Sequence, residues 1–167
     1  MHPLRRRSVT ALFTGLLGAS VLAGCSGGDH TQAASDDLAQ WMSTASAQLG
    51  VHGDADHGGG GGRLTTEDGS RTARAQVSLA YDLRGPYDVL AVCRSEETVH
   101  LRVSELTEHE DGPSAVLGRA DLTCGTSSRI PIDVPAGADG ITLDASTPDR
   151  SGQSLFDAIV VTRGAGQ

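Results

Sequence analysis

Hydrophobic and polar residues alternate along most of the chain from Gln76 onward, a pattern typical of β-strands with one buried face. Turn signals such as Arg84-Gly85-Pro86 and Asp139-Gly140 separate the alternating segments. The segments lie at residues 77–81, 87–93, 99–104, 116–124, 130–134, 141–145 and 156–162. We predict a mainly β protein, with an antiparallel β-sandwich of about seven strands over residues 75–163 and a tail at 164–167. Segments 87–93 and 156–162 are apolar on both faces, which predicts strands that are covered on both sides.

The period of the apolar residues changes to that of a helix over residues 35–49. Ser35 is a good N-cap, Asp36 and Asp37 favour the positive end of the helix dipole, and Gly50 is a natural stop. One face of this short amphipathic helix carries Leu38, Trp41, Met42, Ala45 and Leu49. Because a lone helix of this length is marginal in water, the face must pack on something. Its own β-domain is one alternative, and a partner protein or the membrane surface is the other, so the face is a candidate partner surface.

A Gly-rich segment separates the predicted helix from the predicted sandwich. Residues 58–62 are five consecutive glycines, whose backbone entropy disfavours regular structure, so we predict a polar linker over residues 50–74, with residues 64–66 as a candidate edge strand. Inside it lie the side chains of His52, Asp54, Asp56 and His57, which are ligand types that Zn²⁺, Cu²⁺ or Ni²⁺ accept. Their spacing matches no metal-site pattern, so these residues are a weak metal candidate beside the alternative of a solvated hinge, and we expect no cofactor.

The N-terminus has the three parts of a secretory signal. Arg5, Arg6 and Arg7 precede an uncharged, largely apolar run that ends in Leu22-Ala23-Gly24-Cys25. This sequence resembles the lipobox of bacterial lipoproteins. The resemblance implies that residues 1–24 are a signal peptide, that signal peptidase II cleaves after Gly24, and that Cys25 is lipidated at the outer face of the cytoplasmic membrane. Export by the general or the twin-arginine route stays open, and residues 25–34 are then a flexible tether.

Two cysteines remain once Cys25 carries lipid. Cys93 and Cys124 form an even pair in an oxidising compartment, for which a disulfide is the default, and a thiol nucleophile with a histidine base is the alternative. The pattern Gly85-Pro86-Tyr87-Asp88-Val89-Leu90-Ala91-Val92-Cys93, with Val99-His100-Leu101-Arg102-Val103 after it, resembles actinobacterial lipoproteins that end in a small β-domain. That resemblance covers about residues 75–163 and implies no assigned activity.

The net charge and the absence of catalytic motifs argue against several classes of function. The chain has 13 basic and 21 acidic residues, a net charge of −8 and no lysine, so nucleic acid is not an expected partner. We find no candidate catalytic residues; the acidic run from Glu105 to Asp111 is either a solvated loop or a weak Ca²⁺ site. We expect a surface-anchored binding or interaction module, attached to the membrane through Cys25, with an envelope protein as a candidate partner. The alternatives are a carbohydrate-binding accessory module and a small envelope enzyme.

Overall fold

The computed structural model describes residues 29–50, 56–107 and 114–164. The side chains of residues 29–35 and of Asp56 are not described. One helix precedes nine strands, which form two antiparallel sheets. The elements are α1 (Asp29–Leu49), β1 (Asp56–Arg63), β2 (Thr65–Thr66), β3 (Ala73–Leu79), β4 (Gly85–Arg94), β5 (Val99–Leu106), β6 (Val116–Leu122), β7 (Ser128–Val134), β8 (Gly140–Thr147) and β9 (Leu155–Thr162).

The two sheets form the predicted sandwich. The first sheet has the order β1-β9-β4-β7, and the second has the order β2-β3-β8-β5-β6. The main core lies between them and is built from the inward positions of both sheets, such as Val89 of β4, Leu101 of β5, Leu143 of β8 and Phe156 of β9. These side chains are almost completely removed from water, and their burial is the main driving force for the fold. All seven predicted strands are present, as β3 to β9.

The Gly-rich segment is not only a linker. Residues 56–63 form the edge strand β1, which pairs with β9, and Thr65–Thr66 form the short β2. The prediction of a linker over residues 50–74 was therefore wrong for β1, whereas β2 lies within the candidate edge strand at 64–66. A Cβ atom on Gly59 or Gly61 would collide with backbone atoms of β9, and one on Gly60 would press on Val77. Glycine is the residue that allows this close approach of two backbones.

The helix is longer than the sequence pattern indicates. It begins at Asp29, six residues before the predicted N-cap Ser35, so the predicted flexible tether is helical from residue 29 onward. Alanine and glutamine at 32–34 favour helix, and neither glycine nor proline interrupts the segment. The C-terminal end of the helix is as predicted. Gly50 follows Leu49 with φ 65°, and the N–H of Gly50 donates to Ser46 O over 3.3 Å.

The helix packs on the outer face of the first sheet. Ala45 and Leu49 are buried against Leu90 and Val92 of β4 and Val161 of β9, with Trp41 and Ile159 half-buried beside them. Leu38 and Met42 are half-buried. Of the two alternatives for this helix face, the structure shows packing on the protein's own β-domain. This also explains why β4 and β9 are apolar on both faces, as predicted: one face meets the core and the other meets α1.

A disulfide joins the two sheets. Cys93 near the end of β4 is bonded to Cys124 in the turn after β6, with the two Cα atoms 4.6 Å apart. The N–H of Gly125 donates to the carbonyl of Cys93 over 3.0 Å, which fixes the turn against the strand. The predicted disulfide is confirmed, and the alternative of a thiol nucleophile is excluded for both cysteines.

Candidate functional site

The outer face of the second sheet is open and polar. It lies on the opposite side of the sandwich from α1 and is formed by β3, β8, β5 and β6. Because side chains alternate between the two faces of a strand, every second residue of these strands points away from the core. On β5, for example, His100 and Arg102 are exposed between the buried residues Val99, Leu101 and Val103.

The strand register aligns the outward residues of all four strands into rows. We call the twelve outward positions the outer grid. Its first row holds Arg74, Ser146, His100 and Asp121; the second holds Gln76, Asp144, Arg102 and Arg119; the third holds Ser78, Thr142, Ser104 and Val116. A shallow depression of about 370 Å³ lies over the first two rows. The grid thus gathers eleven polar side chains and one valine on a single surface.

Three arginines and two carboxylates set the charge of the outer grid. Arg102 Nη2 donates to Asp144 Oδ2 over 3.0 Å, and His100 Nδ1 lies 2.6 Å from Asp121 Oδ1. Arg102 also lies directly opposite Arg119, an arrangement of like charges that destabilises a sheet. In the described part of the chain, Arg74 and Arg119 make no ion pair or side-chain hydrogen bond. The grid therefore offers two exposed guanidinium groups, each with its donors still available.

Among the described residues, the structure shows no metal site formed by the predicted ligands. His52 and Asp54 lie outside the described ranges, and only the backbone of Asp56 is described. His57 is a half-buried residue of β1, where its Nε2 lies 2.9 Å from Thr162 Oγ1 and its ring meets the edge of Tyr87. Over residues 29–50, 56–107 and 114–164, no group of three or more histidine, cysteine, aspartate and glutamate side chains is placed to hold a metal ion.

A cluster of two serines and an aspartate lies at the end of the sandwich, before β9. Ser154 Oγ lies 2.5 Å from Asp149 Oδ2 and 2.9 Å from Ser95 Oγ. The hydrogen bond from Ser154, followed by those from Ser151, lowers the pKa of Asp149 to about 2. Since Ser154 is completely buried, its hydroxyl cannot reach a substrate, and the cluster instead fixes the loop between β8 and β9.

Polar contacts also hold α1 in place. Arg94 of β4 donates two hydrogen bonds to the carboxylate of Asp37, at 2.6 and 3.1 Å, and Arg63 lies 3.8 Å from the same group. The bonds from Arg94 lower the pKa of Asp37. Farther along the helix, Ser46 Oγ lies 3.4 Å from Asp157 Oδ2 of β9. The burial of Asp157 raises the pKa of that carboxyl.

Most of the outer grid was not predicted from the sequence. The outward positions of β5 and β6, including His100, Arg102, Arg119 and Asp121, were recognisable from their alternation with apolar residues. The signal on β3 and β8 is the same alternation, but nothing in the sequence tells that β8 lies between β3 and β5. Cys25 and the other lipobox residues lie outside the described ranges, as do residues 108–111 of the acidic run, whereas Glu105 lies in β5. No helix among the described residues is long and apolar enough to cross a membrane.

Comparison with known proteins identifies no family. No protein-family model matches the chain, and no curated protein matches it either. Weakly similar solved structures include the following two. One is the enzymatically active domain of tailspike protein 4 from bacteriophage CBA120, with 14% identity and a TM-score of 0.38; the match covers 54% of this chain and 14% of that one. The other is the N-terminal endo-1,4-beta-D-xylanase 10B of Clostridium thermocellum, comprising CBM22-1 and GH10 modules with xylohexaose, at 26% identity and a TM-score of 0.37; it covers 55% of this chain and 20% of that one. Similarities this weak carry no argument about function.

Proposed function

We propose that this protein is a lipid-anchored binding module of the cell envelope, and that it binds its ligand on the outer grid. The observation that carries this proposal is the open polar face of the second sheet, with the exposed Arg74 and Arg119 available to a ligand. Natural sheets rarely place two arginines directly opposite each other, because like charges there cost stability. A bound anionic group would offset that cost for Arg102 and Arg119.

The proposed cellular location of the module rests on its sequence. Leu22-Ala23-Gly24-Cys25 follows a charged and then an apolar segment, in the order that lipoprotein signals use. Two acyl chains on Cys25 would provide stable membrane attachment without a spanning helix. The disulfide between Cys93 and Cys124 is consistent with folding in an oxidising compartment.

The helix face is a weaker candidate for the ligand site than the outer grid. Ala45 and Leu49 are already buried against the first sheet, so a partner would have to displace α1 from β4 and β9 to reach them. That displacement would also break the two hydrogen bonds between Arg94 and Asp37. The outer grid needs no such rearrangement, because the arginines of its first two rows are exposed to solvent.

Site-specific photo-crosslinking in cells tests the proposal. A benzophenone side chain at Ser78 would stand on the outer grid, and one at Ala47 would stand on the exposed side of α1, across the sandwich. We expect the full-length chain to form high-mass adducts from position 78 and none from position 47. Adducts from Ala47 alone would instead place the contact on the helix and overturn the proposal.

A further inference from the structure

We infer that the ligand of the outer grid is an acidic polysaccharide, in which carboxylate groups are carried on hydroxyl-rich sugar rings. This inference rests on the proposed function, since it names the ligand class for the same surface. Three features of the grid support it: the placement of its arginines, the distance between them, and the hydrogen-bonding groups around them.

The arginines give the grid a charge opposite to that of the whole chain. The chain has a net charge of −8, yet the first two rows carry three arginines against two aspartates. Asp144 pairs with Arg102 and Asp121 pairs with His100, which leaves the guanidinium groups of Arg74 and Arg119 without a carboxylate among the described residues. The planar guanidinium binds carboxylates through two parallel hydrogen bonds, so these two residues are suited to anionic groups.

The distance between the arginines favours an extended ligand over a single small ion. Arg74 lies on β3 and Arg102 on β5, two strands and one row apart; Arg119 lies one strand farther, on β6. With about 4.8 Å between strands and about 6.7 Å between rows, the Cα atom of Arg74 is about 12 Å from that of Arg102 and about 16 Å from that of Arg119. A ligand that reaches all three must carry several acidic groups along its length.

The remaining grid residues favour a ligand that carries hydroxyl groups beside its charges. Gln76, Ser146 and Thr142 offer both donors and acceptors, and the carboxylates of Asp121 and Asp144 accept hydrogen bonds from hydroxyls. A DNA strand carries a phosphate on every unit but has no free ring hydroxyls to donate to these carboxylates. No phenylalanine, tyrosine or tryptophan stands at any of the twelve grid positions, and the ring of His100 is already paired with Asp121, so the large aromatic platforms on which sugar rings stack are missing from the grid. Charge and hydrogen bonds must supply the affinity instead.

Polygalacturonate is a suitable probe, because methyl esterification removes its charge and leaves its hydroxyls. We expect the full-length chain in detergent micelles to bind polygalacturonate in a calorimetric titration at low salt, and to lose this binding with the methyl ester. Replacing two arginines, as R74Q/R119Q, should weaken binding about tenfold, since two charge-assisted hydrogen-bonding groups are lost. The control R84Q/R150Q removes two exposed arginines outside the grid and should change affinity less than twofold.

A third variant tests the role of Asp144. D144N frees Arg102 from its ion pair and removes a negative charge from the grid, so it should tighten binding about two- to threefold, an effect that structural damage would not produce. Any one of four results would overturn the inference. They are no binding of polygalacturonate, equal binding of its methyl ester, equal weakening in R84Q/R150Q, and equally tight binding of a single-stranded oligonucleotide. If position 78 still forms adducts in cells, such a result leaves the grid as the site and rejects only the ligand class.

Discussion

At the scale of single residues, the glycines of β1 act through the side chains they lack. Gly61 lies opposite Asp157 of β9, and a Cβ atom on it would collide with the carbonyl oxygen of Phe156 and the Cα atom of Asp157. Gly62, the next residue along, has no atom within 4 Å of the corresponding position. Neither glycine has a positive φ, so steric space alone distinguishes the two positions.

Alanine substitutions at these two positions should therefore have opposite effects. G61A should lower the free energy of unfolding by about 1–3 kcal/mol, because β1 must move away from β9 to accommodate the methyl group. G62A should leave it unchanged or raise it by up to about 1 kcal/mol, because alanine reduces the entropy of the unfolded chain. Urea denaturation of both variants measures this difference. Equal stability of G61A and G62A would show that β1 does not approach β9 so closely.

Asp157 is a buried carboxyl between β9 and α1. It is 4% exposed, accepts a hydrogen bond from the N–H of Ala158 at 3.0 Å and lies 3.4 Å from Ser46 Oγ. Burial raises the pKa of Asp157 above the ordinary value of 3.8, and the two hydrogen bonds only partly oppose this shift. The folded state therefore binds a proton in a pH range where the unfolded state has already released it.

The sign of the pH dependence follows from this difference. As pH rises from 3.8 through the raised pKa of Asp157, stability falls, and at neutral pH the ionised carboxylate exerts its full destabilising effect. The substitution D157N keeps the shape of the side chain and one acceptor oxygen, but the amide cannot ionise. We expect it to be more stable than the wild type at pH 7, with a gain that shrinks as pH falls toward 3.8. Denaturation of both proteins across pH 4–8 measures the gain; a less stable D157N at pH 7 would mean that the hydrogen bonds outweigh the burial.

At the scale of elements, α1 behaves as part of the β-domain. Its contacts with the first sheet combine the apolar residues Ala45, Leu49 and Trp41 with the ion pair between Asp37 and Arg94. Because that ion pair is exposed and therefore weak, the apolar contact should dominate the docking of the helix. Trp41 is the only tryptophan of the chain, so its fluorescence reports this docking directly.

An arginine at Ala45 should release the helix. Ala45 is 2% exposed and faces Val92 and Val161, so A45R places a long charged side chain where no partner or space exists. We expect the emission of Trp41 to shift to longer wavelength and the thermal midpoint to fall by several degrees. The control A47R adds the same charge to an exposed position two residues away and should change neither. An unshifted emission in A45R would contradict the packing of α1 on β4 and β9.

Elements with a side-chain pattern were predictable from sequence, and those without one were not. β4 shows why: Val89, Ala91 and Cys93 mark one apolar face, and Leu90 and Val92 mark the other. The glycines of β1 carry no side chains, so that strand leaves no alternation to detect. Strand order is equally hidden, because β3, β8 and β5 become neighbours through contacts between residues far apart in sequence. The outer grid depends on that order, so only its positions on β5 and β6 could be predicted from the sequence.

At the scale of the whole molecule, α1 and the outer grid lie on opposite sides of the sandwich. α1 covers the outer face of the first sheet, and the outer grid is the outer face of the second. Three residues separate Cys25 from the start of α1 at Asp29, so a lipid on Cys25 would hold the helix close to the bilayer. On that proposal, the outer grid is the face of the sandwich that α1 leaves open.

The proposed lipid anchor gives the three cysteines separable roles. Cys93 and Cys124 join the two sheets across 31 residues of chain, and the entropy of that closed loop corresponds to about 3–4 kcal/mol of stability. Replacing both with serine should lower the free energy of unfolding by about this amount, while incorporation of labelled palmitate in cells stays intact, since lipidation depends on the signal region alone. C25S should do the reverse, with no palmitate incorporated and an unchanged unfolding transition of the purified protein. Palmitate retained in C25S would rule out the lipid anchor, and an unchanged transition in C93S/C124S would mean that the packing between the two sheets does not need the disulfide.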